Sequence, residues 1–226
     1  MAEEISFTGS SQNCCICFID IVDSTRITST IEITYPQKIR RYYSIFINTM
    51  AALARDFDAT IIKNTGDSLI YYFPKTAEYC NDNMSAFRNV FECGLTMISV
   101  NPIINAKLQK EEEQEEFPNL SYRISADYGR VEVARSLTST AEDLFGSIVN
   151  LCAKINPKAE PNGMVIGNNL YQLTNTAFDA DYHFNKIGEY PIDNSDNHHH
   201  QYSVYSIASK DRSSNDKKLK LYRNII

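Results

Sequence analysis

The sequence predicts an α+β domain with helices packed on a mainly antiparallel sheet. Three observations predict it. Short apolar runs have strand character, longer stretches between them carry apolar residues at helical spacing, and polar turns return one strand beside the last. At 226 residues and 43% apolar content the chain is long enough for one large domain with a core and a tail. The expected organisation is a flexible N-terminus over 1–12, a single domain over 13–208, and a polar, basic C-terminal tail over 209–226.

The elements follow in order. Cys14 to Ile21 reads as a strand, and the polar turn Asp23-Ser24-Thr25 after it offers helix-capping side chains. From Tyr35 to Phe57, the spacing of Ile39, Tyr42, Tyr43, Phe46, Met50 and Leu53 predicts a long amphipathic helix. Residues 58–73 read as a hairpin turning at Asn64-Thr65-Gly66-Asp67. A helical stretch over 77–110 ends in the acidic run 111–116, which reads as a solvated face. Two strands, Ser121–Asp127 and Arg130–Ala134, are expected around Gly129. Residues 143–156 begin as a strand and become a helix closed by Pro157. A strand at 163–166, a short helix at 168–173, and a strand pair at 182–190 and 201–207 complete the pattern.

Two carboxylates stand out against this frame. Asp20 lies within Cys14-Cys15-Ile16-Cys17-Phe18-Ile19-Asp20-Ile21-Val22, and Asp67 follows Thr60-Ile61-Ile62 and precedes Leu69-Ile70-Tyr71-Tyr72-Phe73. A charge among core-forming side chains costs several kcal/mol, as a rough figure, unless a partner compensates it. Two aspartates on different strands make a divalent cation such as Mg2+ a fitting partner, since hard cations take oxygen ligands.

Other features exclude functions. A net charge of −6 argues against general nucleic-acid binding. No stretch is apolar for the ~18 residues of a spanning helix, so no transmembrane segment is expected. Met1-Ala2-Glu3-Glu4 lacks the basic and apolar regions of a secretory signal, and a cytoplasmic location is expected. Of the six cysteines, Cys14 and Cys17 have CxxC spacing but no second pair and no nearby His, so they read as small core thiols. His198-His199-His200 reads as a polar hairpin loop, because neighbours on a strand point to opposite faces.

Four phrases, in order, carry a resemblance. Phe18-Ile19-Asp20-Ile21-Val22-Asp23-Ser24-Thr25 resembles the first metal motif of class III nucleotidyl cyclase catalytic domains, and Lys63-Asn64-Thr65-Gly66-Asp67 resembles their Lys-x-x-Gly-Asp hairpin. Arg123-Ile124 with Gly129 resembles their Arg-Ile-Gly-x-x-x-Gly strand, with Ser125 at the first glycine. Asp143 to Lys154 resembles their Asp-x-x-Gly-x-x-Val-Asn-x-Ala-x-Arg segment.

The resemblance implies a ferredoxin-like fold and a homodimer whose interface sites convert ATP to 3',5'-cyclic AMP and pyrophosphate. It implies that Asp20 and Asp67, with the Ile21 carbonyl, hold two Mg2+ or Mn2+ ions. Lys63 and Asp143 read the base, Arg123 meets the terminal phosphates, Asn150 orients the ribose, and Lys154 takes the place of the family's transition-state Arg. Without the family context, Lys63 is a solvated hairpin residue, Asp143 a helix cap, Arg123 a strand Arg paired to a carboxylate, and Asp23 a cap.

Two departures weaken phosphate handling. Lysine at 154 keeps the charge but loses the planar multi-donor fork, and Lys186 is the nearest basic residue where the family has a Lys-Gly pair. The alternative is therefore a degenerate cyclase-homology domain that binds nucleotide and dimerises with little turnover. A diguanylate cyclase is disfavoured, since the Gly-Gly-Asp/Glu-Glu-Phe signature is absent.

Overall fold

The computed structural model describes residues 7–34, 36–77, 84–110, 117–136, 142–193, 199–211 and 222. Among these, eight strands form one sheet in the order β2-β3-β1-β4-β6-β8-β7, with β5 paired to β4. Only β4 and β6 run parallel; every other pairing is antiparallel. The α+β class with a mostly antiparallel sheet is thus the observed one.

The chain begins with β1 (Phe7–Ile21), α1 (Ser24–Thr34) and α2 (Ile39–Asp56), then the hairpin β2 (Thr60–Thr65) and β3 (Ser68–Phe73). Helices α3 (Met84–Ser99) and α4 (Asn101–Lys110) lead to β4 (Tyr122–Ser136), β5 (Glu142–Phe145) and α5 (Ser147–Ile155). The last elements are β6 (Gly163–Gly167), α6 (Asn168–Phe178), β7 (Tyr182–Asp193) and β8 (His199–Ser209).

Strand alternation sorts the core into two faces. Cys15, Cys17, Ile19 and Ile21 of β1 join Leu69, Tyr71 and Phe73 of β3 beneath α1, α2, α3, α4 and α6. Cys14 and Ile16 join Ile70, Tyr72, Val131 and Val133 on the other face, where Ile148 of α5 and Leu144 of β5 close a smaller cluster. Helix α2 contributes Tyr42, Phe46, Met50, Leu53 and Ala54 to the larger core, the stripe that its spacing predicts.

Four expectations are corrected. Strand β1 starts at Phe7, so residues 7–12 are not loose: they pair with 131–136 of β4. Their alternation was invisible because residues 9–13 are largely exposed and are held by backbone pairing. The helical stretch 77–110 is two helices: α4 restarts at Asn101-Pro102, and proline belongs in a first turn, where its missing N–H has no intrahelical partner to lose. Gly129 is not a turn. Strand β4 runs through it, paired with Cys14, and a Cβ there would sit 3.0 Å from Ile148, so glycine lets α5 approach the strand. Helix α6 extends to Phe178, five residues beyond its expected end, and buries Leu170, Thr174 and Phe178.

The acidic run 111–116, His198 and most of the tail lie outside the described residues; His199 and His200 open β8.

Candidate active site

Register places the first group of candidates. Asp20, the penultimate residue of β1, stands opposite Ser68 of β3 and Arg123 of β4. Directly opposed residues share a face, and Ser68 Oγ accordingly donates to Asp20 Oδ1 at 2.5 Å. Burial pushes the Asp20 carboxyl above its ordinary range; Ser68 opposes this, Asp67 adds to it, and Arg123 and the Ile21 amide pull the other way. Asp20 and Asp67 therefore feel each other's charge. Arg123 buries its Nε without a hydrogen-bond partner among the described residues.

The chemistry of this donor set fits a hard divalent cation. Two carboxylates lie within electrostatic range of each other, one partly stripped of water, with a guanidinium as the opposing charge. Among the described residues no group of three or more His, Cys, Asp or Glu is placed to hold a metal ion, so among them a full protein cage is absent. That suits Mg2+, which keeps waters and takes one or two carboxylates together with substrate phosphates. Asp67 also lines a cleft of about 630 Å³ with Ser24, Thr25 and Thr28 of α1. Asp23 stands at the start of α1: its carbonyl accepts the Ile27 N–H at 3.0 Å, and its carboxylate lies 3.7 Å from Arg26.

The second group comes from segments eighty residues apart. Lys63 Nζ donates to both oxygens of Asp143, at 2.8 and 2.9 Å, bridging β2 and β5. A bulge between Ile61 and Lys63 shifts the register of β2 just before the lysine. Both side chains remain partly open, at 42% and 39% exposure, which leaves them accessible to a ligand.

The third group lines a different cleft, of about 560 Å³, between α5 and the β7–β8 pair. Asn150 and Lys154 form one wall, Tyr190 and Tyr202 the other. The Lys154 ammonium lies 5.9 Å from the Tyr190 ring centroid, within cation–π reach. Lys186 is engaged elsewhere, donating to Glu189 at 2.6 Å. The structure thus gathers Asp20, Asp67 and Arg123, pairs Lys63 with Asp143, and sets Asn150 and Lys154 apart in their own cleft.

Sequence reasoning missed the residues that support these groups. Ser125 is fully buried, donates to the Cys152 carbonyl at 2.8 Å and accepts from Asn156 Nδ2 at 3.3 Å. Asn156 also donates to the carbonyls of Phe18 and Arg123, at 3.4 and 3.3 Å, and Cys152 Sγ to that of Ile16 at 3.3 Å. Together they fasten α5, the carrier of Asn150 and Lys154, to β1 and β4. Asp127 is fully buried as well. Burial pushes its carboxyl up to about 6, against the pull of Tyr202, Tyr128 and Leu170 as donors. Its signal was the one that revealed Asp20, a charge within a strand.

Comparison with known proteins bears on the fold and the family. A sequence model of the family described as adenylate and guanylate cyclase catalytic domain matches residues 8–208. No match was found among curated proteins. Among solved structures, the guanylyl cyclase Cya2 aligns with a TM-score of 0.72 at 17% identity, over 90% of this chain and 95% of that one. The adenylyl cyclase CyaB from P. aeruginosa aligns at 0.71 with 16% identity, over 91% and 98%. The guanylate cyclase domain of RhGC from Catenaria anguillulae, in complex with GTP, aligns at 0.65 with 14% identity, over 89% and 100%. At such identities these structures carry the fold, while the sequence match carries membership. The chain belongs to the class III adenylyl and guanylyl cyclase catalytic domain family. No helix among the described residues is long and apolar enough to cross a membrane.

Proposed function

We propose that this protein is an adenylyl cyclase, closing ATP to 3',5'-cyclic AMP and pyrophosphate at sites formed between two copies of the chain. The observation that carries the reading is the Lys63–Asp143 pair. The Watson–Crick edge of adenine offers an acceptor at N1 beside a donor at the 6-amino group. Lys63 is a pure donor and the ionised Asp143 a pure acceptor, so the pair complements that edge. Guanine reverses both positions, with a donor at N1 and an acceptor at O6, and would face like groups with like. Unmatched polar groups in a site built for hydrogen bonds are rejected strongly.

The remaining residues act on the ribose and phosphates. Asn150 orients the ribose so that its 3'-oxygen stands in line with the α-phosphorus and the departing pyrophosphate. Arg123 meets the terminal phosphates, its unpaired buried Nε being a donor ready for an anion. Lys154 faces the charge that develops on the α-phosphate. Asp20, Asp67 and the Ile21 carbonyl would hold two Mg2+ or Mn2+ ions, which when bound lower the pKa of the 3'-hydroxyl and neutralise the triphosphate. The buried thiols Cys14, Cys15, Cys17, Cys93 and Cys152, all free, support a reducing, cytoplasmic compartment.

One observation favours a second reading, a nucleotide-binding domain with little turnover. Lys154 lacks the guanidinium fork, and Lys186, already paired with Glu189, offers no substitute.

The test is incubation of purified protein with ATP or GTP and Mg2+ or Mn2+, with products resolved by mass and Asp20→Asn alongside. Cyclic AMP from the wild type alone supports the cyclase. Nucleotide binding and dimerisation without cyclic product supports the second reading, and cyclic GMP as the main product overturns the base assignment.

A further inference from the structure

The N-cap position before helix α6 is Gly167, a residue with no side chain to cap the free amides of the first turn. Two of those amides are satisfied from elsewhere in the fold. The Leu170 N–H donates to Asp127 Oδ1 at 3.2 Å, and the Asn169 N–H donates to the Tyr202 hydroxyl at 2.9 Å. The two acceptors are themselves joined, Tyr202 donating to Asp127 Oδ2 at 2.6 Å. Asp127 Oδ1 also accepts its neighbour's amide, Tyr128 N–H, at 2.9 Å. The carboxylate fits only because residue 167 is glycine: a Cβ there would stand 2.0 Å from Oδ2. This is a complete network about a buried charge, at the positive end of a helix.

Its outer member faces the cleft. Tyr202 lines the cleft of Asn150 and Lys154, and it pairs across the β7–β8 ladder with Tyr190, the ring over which the Lys154 ammonium lies. A path of contacts therefore runs from Asp127 through Tyr202 and Tyr190 to Lys154. We propose that Asp127 and Tyr202 are positioning residues of the cyclase reaction. By tying β4, β8 and the start of α6 together they set the β7–β8 wall of the cleft against α5, and so the place of Lys154. The inference rests on the cyclase reading above. Neither residue touches the base-reading pair, so their loss acts on the chemical step more than on nucleotide capture.

The experiment uses the full chain as Asp127→Asn, Tyr202→Phe and the double variant, with melting curves to choose a temperature at which all are folded. Steady-state rates with ATP are measured, and amide exchange is followed at Asn169 and Leu170. The expected result is a kcat lowered by roughly 10- to 100-fold in each single variant, the scale of a small misplacement, with KM changed less than about threefold. The double variant should lose no more than the worse single one, since residues acting through one bond are not additive. Exchange at Asn169 and Leu170 should quicken in all three, whether or not nucleotide is turned over. Folded variants with kcat within about twofold of an active wild type, or losses that multiply in the double variant, would overturn the positioning role. A wild type without cyclic product but with the expected exchange pattern would instead overturn the cyclase reading, leaving the cap in place.

Discussion

On the proposed reading, exchanging the polarity of the Lys63–Asp143 pair should exchange the preferred base. The perturbation is Lys63→Glu with Asp143→Asn, which puts an acceptor where adenine needs a donor, and at the other position replaces a charged acceptor by an amide that can also donate. The magnitude has two parts. For the fold, the pair is a surface ion pair, with side chains 42% and 39% exposed, and such pairs contribute at most about 1 kcal/mol. For a domain of this size that is a melting shift of no more than about 4 °C. For the reaction, the bond to N1 becomes a mismatch and the bond to the 6-amino group loses its charged acceptor, at about 1–3 kcal/mol each. The total of about 2–6 kcal/mol corresponds to a loss of roughly 30-fold to 10⁴-fold in kcat/KM for ATP.

Guanine should gain correspondingly, because the introduced carboxylate accepts from N1–H and the introduced amide donates to O6. The assay is competition between equimolar ATP and GTP at fixed metal, with the cyclic products separated by mass. A variant that melts within a few degrees of the wild type yet keeps its ATP preference would refute the reasoning, since the pair would then be structural. A melting loss above about 10 °C would refute the surface-pair estimate instead.

Two further outcomes follow from the geometry. Asp127 carries a folded-state value raised from 3.8 to about 6 by burial, so its contribution to stability is fully present below the unfolded value and lost as pH rises through about 6. The difference in unfolding free energy between wild type and Asp127→Asn should therefore move in favour of the wild type by about 2 kcal/mol between pH 7 and pH 4; a pH-independent difference in urea titrations would show that the carboxyl is not held as described. Lys154→Arg should raise kcat by roughly 10- to 100-fold if a planar donor fork is what the α-phosphate lacks; an unchanged kcat in a folded, ATP-binding variant removes Lys154 from the reaction.

How much was legible in the sequence differs by residue. Asp20 announced itself because a charge inside an apolar strand is locally inconsistent, and inconsistency is what functional sites look like in a pattern; Asp67, expected on a strand, stands instead in the turn between β2 and β3. Lys63 and Asp143 had no such signal: each is an ordinary partly exposed residue, and only resemblance to a family joined them before the structure set them 2.8 Å apart. Asp127 did carry the Asp20 signal, but a strand expected to end there turned a buried charge into an apparent boundary. Residues 9–12 failed for the opposite reason: they are largely exposed, and a strand open on both faces has no hydrophobic alternation to detect. Ser125 and Asn156 are polar residues whose value lies wholly in tertiary partners, which no spacing within β4 or α5 encodes.

The division of the site also decides what a single copy can do. Lys154 points toward Tyr190 on β7, while Asp67 opens beside α1 at the start of β3. In the strand order, β7 and β3 are separated by β8, β6, β4 and β1. Lys154 and Asp67 thus line separate clefts that share no residue, whereas groups acting on one phosphorus must come within about 3–3.5 Å of the reacting atoms. A second copy related by a two-fold axis would remove the conflict, laying the cleft of one chain on the carboxylates of the other and making two equivalent sites. The consequence is a complementation test between Asp20→Asn, defective in the carboxylate half, and Asn150→Ala, defective in the cleft half. Each alone should be inactive. Mixed in equal amounts and allowed to exchange subunits, half of the dimers are mixed, and each mixed dimer has one intact site of two, so about a quarter of wild-type activity should return. A mixture that stays as inactive as its components, with subunit exchange demonstrated by labelled chains, would mean that both halves of each site come from one chain.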